Sequence, residues 1–506
     1  GAAVGGGFEW ALACDVRVVG PKSRMFFPET TMGLIPSAGG CTRLTALVGA
    51  ARSKQIVLCG DVVDAARAVE WGIAQFAPEG DPLQYAVEVL APKIVKRPDL
   101  AVELGKKVID MNSGGEHQLL LERVSEAVLY QTKHRPQASI VATGTAVPPQ
   151  KFTQHEVADL LGIQDKKMRG LFVASHILTR HLAEIDQEQD GISQKQLLEK
   201  HLKWGKILGT KAIDQALSRA GIRREDVKFL CVATSTGFLI PPLTCHLTEC
   251  MGLSPHIQRA DVVGMGCHAG LNILQVASNW ALANPGLNAV MCSVEICSAE
   301  YVWNKTADAA LQMKLAVTNS LFGDGCTAAV IRCDPEPRIG SIPRPLPPGR
   351  LNMQIMGFES YIIPSSLDTL YLEWDDIINK FSFFLTSDVP YAIGEHMPLM
   401  INALLDRFGL SKKDIAHWVV HSGGKKVLDS MVYSLGITKH DVRHTVSTLR
   451  DYGNISSGAF LLAFERLQQE GTVKCGDIGM FVTMGPGAGM ECSLFRVRAD
   501  IVPHKP

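Results

Sequence analysis

Two hydrophobic periods alternate along most of this chain. VKFLCVATST, ADVVGMG, NAVMCSVEI, WVVHSGG and IGMFVTMGPG are short apolar runs with no strict polar alternation. They predict strands covered on both faces. Segments with helical spacing separate them, and this alternation predicts α/β layers. The series opens at ASIVATGTAVPP, which predicts a strand from Ala138, and runs to about Asp334. The proline-rich stretch Pro335–Gly349 breaks the pattern, and a second α/β series continues to about Val497. Two such halves predict a duplicated layered fold.

Ahead of Ala138 the pattern changes. The glycine-rich stretch Gly1–Gly7 runs into FEWALACD, which predicts a tight turn opening a helix. DVRVVG predicts a buried strand. Pro82–Val95, Asp99–Met111 and His117–Thr132 have helical spacing. The polar connection Lys133–Gln137 is too short to let two units tumble freely. The chain therefore divides into residues 1–136, 138–334 and 335–506.

Composition narrows the function classes. A length of 506 residues has room for about three compact units. Charged residues make up 20% and the net charge is −1. With no Lys/Arg run, the electrostatic footprint of a nucleic-acid binder is missing. No uninterrupted apolar run is long enough to span a membrane. The 13 cysteines include no CxxC pair, so neither a metal site nor a disulfide framework is indicated. Scattered thiols fit a reducing, cytoplasmic setting. The first residues read as the middle of a domain, so any targeting segment would lie upstream.

One cysteine stands apart. DVVGMGCHAGLNILQVASNWALAN predicts strand, sharp turn and helix, with Cys267 where the helix begins. Unpaired N–H groups there favour a thiolate, and Gly264, Gly266 and Gly270 allow close backbone approach. The other twelve cysteines read as small buried hydrophobes. His421 follows the strand WVV, at a strand end where α/β sites gather, although a single histidine is more often structural. Asn454 sits in DYGNISSGAF at a turn before an apolar helix, where an asparagine is usually a cap. Cysteine proteases share the order Cys, His, Asn. The LFGDG and GPG loops, and a cysteine internal to the second α/β unit, argue against a protease.

Together these residues carry a family resemblance. The stretch from Ala138 to Val497 resembles the type III polyketide synthases, the chalcone-synthase-like group of the thiolase superfamily. GMGCHAG is similar to that family's nucleophile motif at Cys267. VVHSGG is similar to its histidine motif at His421, with serine at 422 where proline is usual. YGNISSG is similar to its asparagine motif at Asn454. The resemblance implies an aromatic residue beside the catalytic centre at Phe322, a second gatekeeper at Phe383, and substrate contacts at Ile240 and in the loop Gly485, Pro486, Gly487. Lys166, Lys167 and Arg169 lie near the positions where the family holds CoA phosphates. Within the family, the stretch resembles the bacterial 3,5-dihydroxyphenylacetyl-CoA synthases. That resemblance implies malonyl-CoA and acyl-CoA substrates, no metal, no cofactor beyond the CoA thioesters, and a homodimer.

Residues 1 to about 132 resemble the later half of a crotonase (enoyl-CoA hydratase) domain, through GAAVGGGFEWALACD and MFFPETTMGLIPSAGGCTRL. The resemblance implies that Gly6 offers an N–H to a thioester oxygen. It also implies that Glu9 and Glu29 are the two acid–base carboxylates. Otherwise, Glu9 is a favourable charge in a first helical turn and Glu29 a solvated loop residue. Crotonases commonly trimerise, so a larger assembly, or a packing role for this unit, is also expected.

The chemistry follows from the residue types. Losing CO2 from a malonyl thioester leaves an enolate, whose oxygen is stabilised by preorganised donors. The His421 imidazole and the Asn454 amide can both donate. As an imidazolium, His421 would pair with the Cys267 thiolate. Two rival readings follow: a ketosynthase III-like fatty-acid initiator, which shares the trio, and a non-catalytic crotonase-type scaffold.

Overall fold

The computed structural model describes residues 1–111, 137–184, 193–301, 308–334, 351–376 and 379–499. The expected helix His117–Thr132, the proline-rich stretch Pro335–Gly349 and most of the connection Lys133–Gln137 lie outside the described residues. The chain splits into two compact units, Gly1–Arg135 and Pro136–Pro506.

In the first unit, β1 (Ala2–Val4) leads through Gly5 into α1 (Gly6–Ala13). β1 pairs parallel with β2 (Arg24–Phe26), which pairs antiparallel with β3 (Val63–Asp64). Phe8 and Leu12 of α1 pack with Phe27, Leu44 and Ile56 in a small apolar core, the last two from α2 (Gly40–Leu58). DVRVVG forms no strand. Its only ladder contact is an isolated bridge, Val18 to Phe76. The Arg17 guanidinium folds onto the carbonyls of Ile73 and Cys14. A hydrophobic run with a single bridging contact cannot extend a ladder, whatever its β-propensity.

The second unit is built on a nine-stranded sheet in the order β14-β15-β16-β11-β4-β10-β9-β7-β8. The first half supplies β4 (Ser139–Ala146), β7 (Val227–Thr234), β8 (Gln258–Val263), β9 (Asn288–Ile296) and β10 (Asp324–Arg332). The second half supplies β11 (Leu351–Ile362), β14 (Ile415–Val420), β15 (Ile478–Gly485) and β16 (Gly489–Ala499). The pairing sense repeats. β7 runs parallel to β9, β9 antiparallel to β10, and β10 antiparallel to β4. β14, β15, β16 and β11 follow the same sequence of senses. The halves join through Met353 opposite Ile140 and Gln354 opposite Ser139. Two short antiparallel ladders stand apart from the sheet: β5 (Lys151–Thr153) with β6 (Thr179–His181), and the hairpin of β12 (Leu370–Asp375) with β13 (Lys380–Leu385).

Helices cover this sheet in a matching way. The first half contributes α3 (Lys166–Ala174), which packs with α7 (Ala309–Leu321) in an apolar cluster of their own, and α4 (Gln194–Ala220), α5 (Leu243–Met251) and α6 (Ala269–Ala283) on the sheet. The second contributes α8 (Val389–Arg407), α9 (Lys425–Leu435), α10 (Arg443–Tyr452) and α11 (Ala459–Glu470). One cluster joins α6 and α11 with inward residues of both sheet halves, including Leu274, Phe460, Phe464, Phe481 and Phe495. A second packs α4 and α5 on the first half. A third packs α8 and α9 on the second. The layers are therefore helix, sheet, helix, sheet, helix, with α6 and α11 at the centre. A Cβ on Gly270 would lie 2.2 Å from the Ser457 carbonyl oxygen, so glycine sets how closely the two central helices meet.

Candidate active site

Equivalent turns of the two halves supply the candidate nucleophile, Cys267, and the candidate asparagine, Asn454. A single 3₁₀ turn, Gly266–His268, precedes α6 and carries Cys267. Its counterpart, Ser456–Gly458, precedes α11 and follows Asn454. Gly266 takes φ +76°, and a Cβ there would lie 2.1 Å from Pro486 Cδ. Gly485 packs as tightly, since its Cβ would reach 2.4 Å from His268 Nδ1 and 3.0 Å from the Cys267 nitrogen. The loop Gly485, Pro486, Gly487 thus closes directly over the nucleophile turn.

Cys267, Phe322, Phe383, Pro486 and Gly487 line a cavity of about 420 Å³, with Tyr371 and Leu372 on the β12–β13 hairpin. A recess of about 30 Å³ shares Cys267, Phe322 and Phe383 with it and holds His421 and Asn454. The structure therefore brings together Cys267, His421, Asn454, Phe322 and Phe383, which lie far apart in sequence. Phe322 and Phe383 meet edge to face, with centroids 5.3 Å apart. Asn454 N–H donates to the Leu321 carbonyl at 2.9 Å, and Gly323 N–H donates to the Asn454 carbonyl at 3.0 Å. The backbone thus ties the aromatic wall to the asparagine.

Burial acts on the nucleophile and its histidine in the same sense. Removal from water pushes the Cys267 thiol up to about 12, with the Ser456 hydroxyl pulling in the opposite direction. The His421 imidazole is held down to about 3, first by burial and then by the neighbouring His268. Burial thus opposes the thiolate that the helix start was expected to favour. In a site this dry, neither group ionises singly. Ionisation as a pair, by transfer of the Cys267 proton to His421, is the proposed route to the charged form.

Several functional neighbours were not singled out from the sequence. Ser456 Oγ–H donates to Cys267 Sγ at 3.5 Å, and Ser456 N–H donates to Asn454 Oδ1 at 2.9 Å. Ser456 holds φ +49°, a conformation non-glycine residues adopt at a cost. Glu295 is fully buried, takes hydrogen bonds from Ser457 Oγ–H and Ser235 N–H, and is pushed up to about 7 by burial. Ser456 and Ser457 were visible inside YGNISSG, but a serine pair by itself carries no chemical signal. Only the fold shows what each faces.

Other expected residues lie elsewhere. Ile240 precedes a cis proline, is 83% exposed, and is not among the cavity-lining residues. Lys166 and Arg169, on α3, line a separate open pocket of about 440 Å³. Arg169 there donates to Asp159 Oδ1 at 2.7 Å, and Lys167 lies on the same helix.

In the first unit, Gly6 is the first residue of α1, where an N–H has no intrahelical acceptor. Glu9 is buried, and its Oε1 accepts from the N–H groups of Ala38 and Gly40 at 2.8 Å each. That carboxylate therefore satisfies the N-terminus of α2. Glu29 lies against Gly5 (a Cβ there would sit 2.8 Å from its Oε1), and its Oε2 is buried without a partner.

Comparison with known proteins agrees with both units. Residues 125–335 and 362–498 match the N-terminal and C-terminal domains of chalcone and stilbene synthases. Residues 1–138 match the enoyl-CoA hydratase/isomerase family. The 3,5-dihydroxyphenylacetyl-CoA synthase of Streptomyces toyocaensis is 43% identical over 363 residues, covering 71% of this chain and 90% of that protein. The synthase of the same name from Amycolatopsis balhimycina is 44% identical, covering 70% and 91%. The crystal structure of 1,3,6,8-tetrahydroxynaphthalene synthase from Streptomyces coelicolor superposes with a TM-score of 0.63 at 25% identity, covering 71% of this chain and 99% of that one. PKS-I of the brown alga Ectocarpus siliculosus shares the fold, with the same TM-score at 23% identity. With its layered thiolase-like fold, its cavity built around Cys267 and an enoyl-CoA hydratase/isomerase-type unit ahead of it, the chain belongs to the chalcone and stilbene synthase family of type III polyketide synthases.

Proposed function

We propose that this synthase condenses malonyl-CoA iteratively on Cys267 and yields 3,5-dihydroxyphenylacetyl-CoA. The observation that carries the reading is one cavity in which Cys267, His421, Asn454 and Phe322 converge. Relatives at 43–44% identity that bear that product's name support it. An acyl group passes from CoA sulfur to Cys267, the Cys267 proton moves by way of His421 to the departing CoA thiolate, and a further malonyl-CoA binds beside the acylated cysteine. Loss of CO2 puts charge on the thioester oxygen, where the Asn454 amide and the His421 N–H donate. Phe322 and Phe383 give the departing carboxylate a poorly solvating wall. The enolate carbon of this malonyl-CoA attacks the acyl–Cys267 carbonyl and expels the Cys267 thiolate, and the lengthened chain, now on CoA sulfur, is passed back to Cys267 for the next round.

No residue of this scheme calls for a metal, and among the described residues no cluster of three or more His, Cys, Asp or Glu side chains could hold one. CoA thioesters are the only small molecules the scheme requires. Lys166 and Arg169 are the proposed contacts for the CoA phosphates. The synthase unit is proposed to work as a homodimer. The hydratase-type unit is proposed to aid dehydration and aromatisation, keeping the reactive polyketide at high effective concentration. Among the described residues no helix is long and apolar enough to cross a membrane.

The test is to incubate the full chain with malonyl-CoA alone and analyse products by mass spectrometry. An aromatic dihydroxyphenylacetyl product is expected. Product only with an added starter would point to a different type III activity. Product from Cys267→Ala would overturn the mechanism.

A further inference from the structure

Arg180, at the centre of β6, is the largest fully buried side chain among the described residues. Its Nη1 donates to the Tyr301 hydroxyl and to the Phe322 carbonyl, at 2.7 Å each. The Tyr301 hydroxyl donates to that same carbonyl. Arg180 Nε and Nη2 are buried with no hydrogen-bond partner. The rings of Phe172 and Tyr301 flank the guanidinium, each 5.7 Å away. Burying a charge this way costs several kcal/mol, and a packing role alone would be served better by an apolar residue.

The place of the charge suggests what offsets that cost. A Cβ on Gly323 would lie 3.3 Å from Arg180 Cβ, and one on Gly453 would lie 3.6 Å from it. Arg180 thus sits beneath both turns that present catalytic groups, one carrying Phe322 and the other Asn454. The two turns are bridged by the Asn454–Leu321 and Gly323–Asn454 backbone hydrogen bonds. Cys267 comes from a third element, the turn before α6, which makes no hydrogen bond to Arg180.

We propose that Arg180 is a positioning residue for decarboxylation: with Tyr301 it clamps the Phe322 carbonyl, and through the backbone bridge it fixes the Asn454 amide toward the thioester oxygen. It touches no substrate. The proposal rests on the reading that Asn454 and Phe322 serve the decarboxylation step. It separates two activities that share one cavity. Acylation of Cys267 depends on the α6 turn and His421. Decarboxylation depends also on the clamped turns.

The experiment compares the full chain with its Arg180→Gln, Arg180→Lys and Tyr301→Phe variants. Three quantities are read: Cys267 acylation by acetyl-CoA in single turnover, release of acetyl-CoA from malonyl-CoA, and Tm. A misplacement of about 1 Å costs roughly 100-fold in comparable sites. Arg180→Gln is expected to lose roughly that much decarboxylation while acylation stays within about twofold. Tyr301→Phe should shift in the same direction by less, and Arg180→Lys should recover part of the loss. Equal loss of both activities in Arg180→Gln and Tyr301→Phe, or full decarboxylation in both, overturns the inference. If Arg180→Gln does not fold, Tyr301→Phe alone decides between those outcomes. A wild-type protein that forms no acetyl-CoA from malonyl-CoA overturns the underlying functional reading instead.

Discussion

Replacing His421 with glutamine isolates the cost of ionising the nucleophile alone. Burial sets the Cys267 thiol at about 12. At pH 7 that is about five units away, so a lone thiolate costs about 7 kcal/mol and is populated at roughly 10⁻⁵. On the proposed mechanism the proton leaving Sγ stays in the site on His421, and with that imidazole held down to about 3 the attraction between the two charges must supply more than about 5 kcal/mol for the pair to outnumber the lone thiolate. Internal transfer exchanges no proton with solvent, so the reactive fraction stays constant with bulk pH across the neutral range. In His421→Gln every thiolate requires release of a proton to solvent. Its fraction then rises tenfold per pH unit until the thiol itself titrates. The assay is the rate of iodoacetamide alkylation between pH 7 and 9, mapped to Cys267 by peptide mass spectrometry, in proteins of equal Tm. The wild type should give a nearly flat profile. The variant should react far more slowly at pH 7 and climb about one log unit per pH unit. A folded variant with the wild-type rate and a flat profile would refute the paired-ionisation argument.

Three further outcomes follow from the same structure. Gly266→Ala places a Cβ 2.1 Å from Pro486 Cδ at a φ of +76°; it should abolish condensation and lower Tm, and an active variant of unchanged Tm would contradict the close approach of the two loops. Glu295 is raised to about 7 from 4.5 by burial, so the folded state holds a proton the unfolded chain gives up, and the stability this confers is lost as pH rises from 4.5 to 7. Relative to Glu295→Gln, the wild type should lose on the order of 3 kcal/mol across that window, read from urea unfolding at each pH; parallel curves would count against it. Glu9→Ala removes the acceptor for two N–H groups at the start of α2 and should destabilise the first unit by roughly 1–2 kcal/mol, with Glu9→Gln recovering part, as measured by thermal unfolding.

Much of the fold was legible because periodicity is a local property. VKFLCVATST, NAVMCSVEI and IGMFVTMGPG became β7, β9 and β15, and the segment after GMGC became α6. Cys267, His421 and Asn454 stood out as candidates for a related reason. Each lies in a glycine-bearing turn at the end of an apolar run, and such turns are where layered α/β folds expose chemistry. DVRVVG marks the limit of that logic. Its β-branched pattern is as good as that of a true strand, but strand formation needs a neighbour to pair with, and only Val18 finds one.

What the sequence determined by itself is the list of elements and the residue types available at their ends. The tertiary structure decided which of those residues meet, and in what dielectric. Glu9 is expected from the sequence as an acid–base carboxylate, and the fold adds that its Oε1 takes the Ala38 and Gly40 amides. Nothing in the sequence singled out Arg180; β6 carries it beneath the turns of Phe322 and Asn454. Cys267 is expected as a thiolate at a helix start, and packing adds a burial that opposes its ionisation. Propensity and periodicity act over a few residues, whereas desolvation and hydrogen-bond geometry depend on groups hundreds of positions apart. Those terms exist only once the chain has closed on itself.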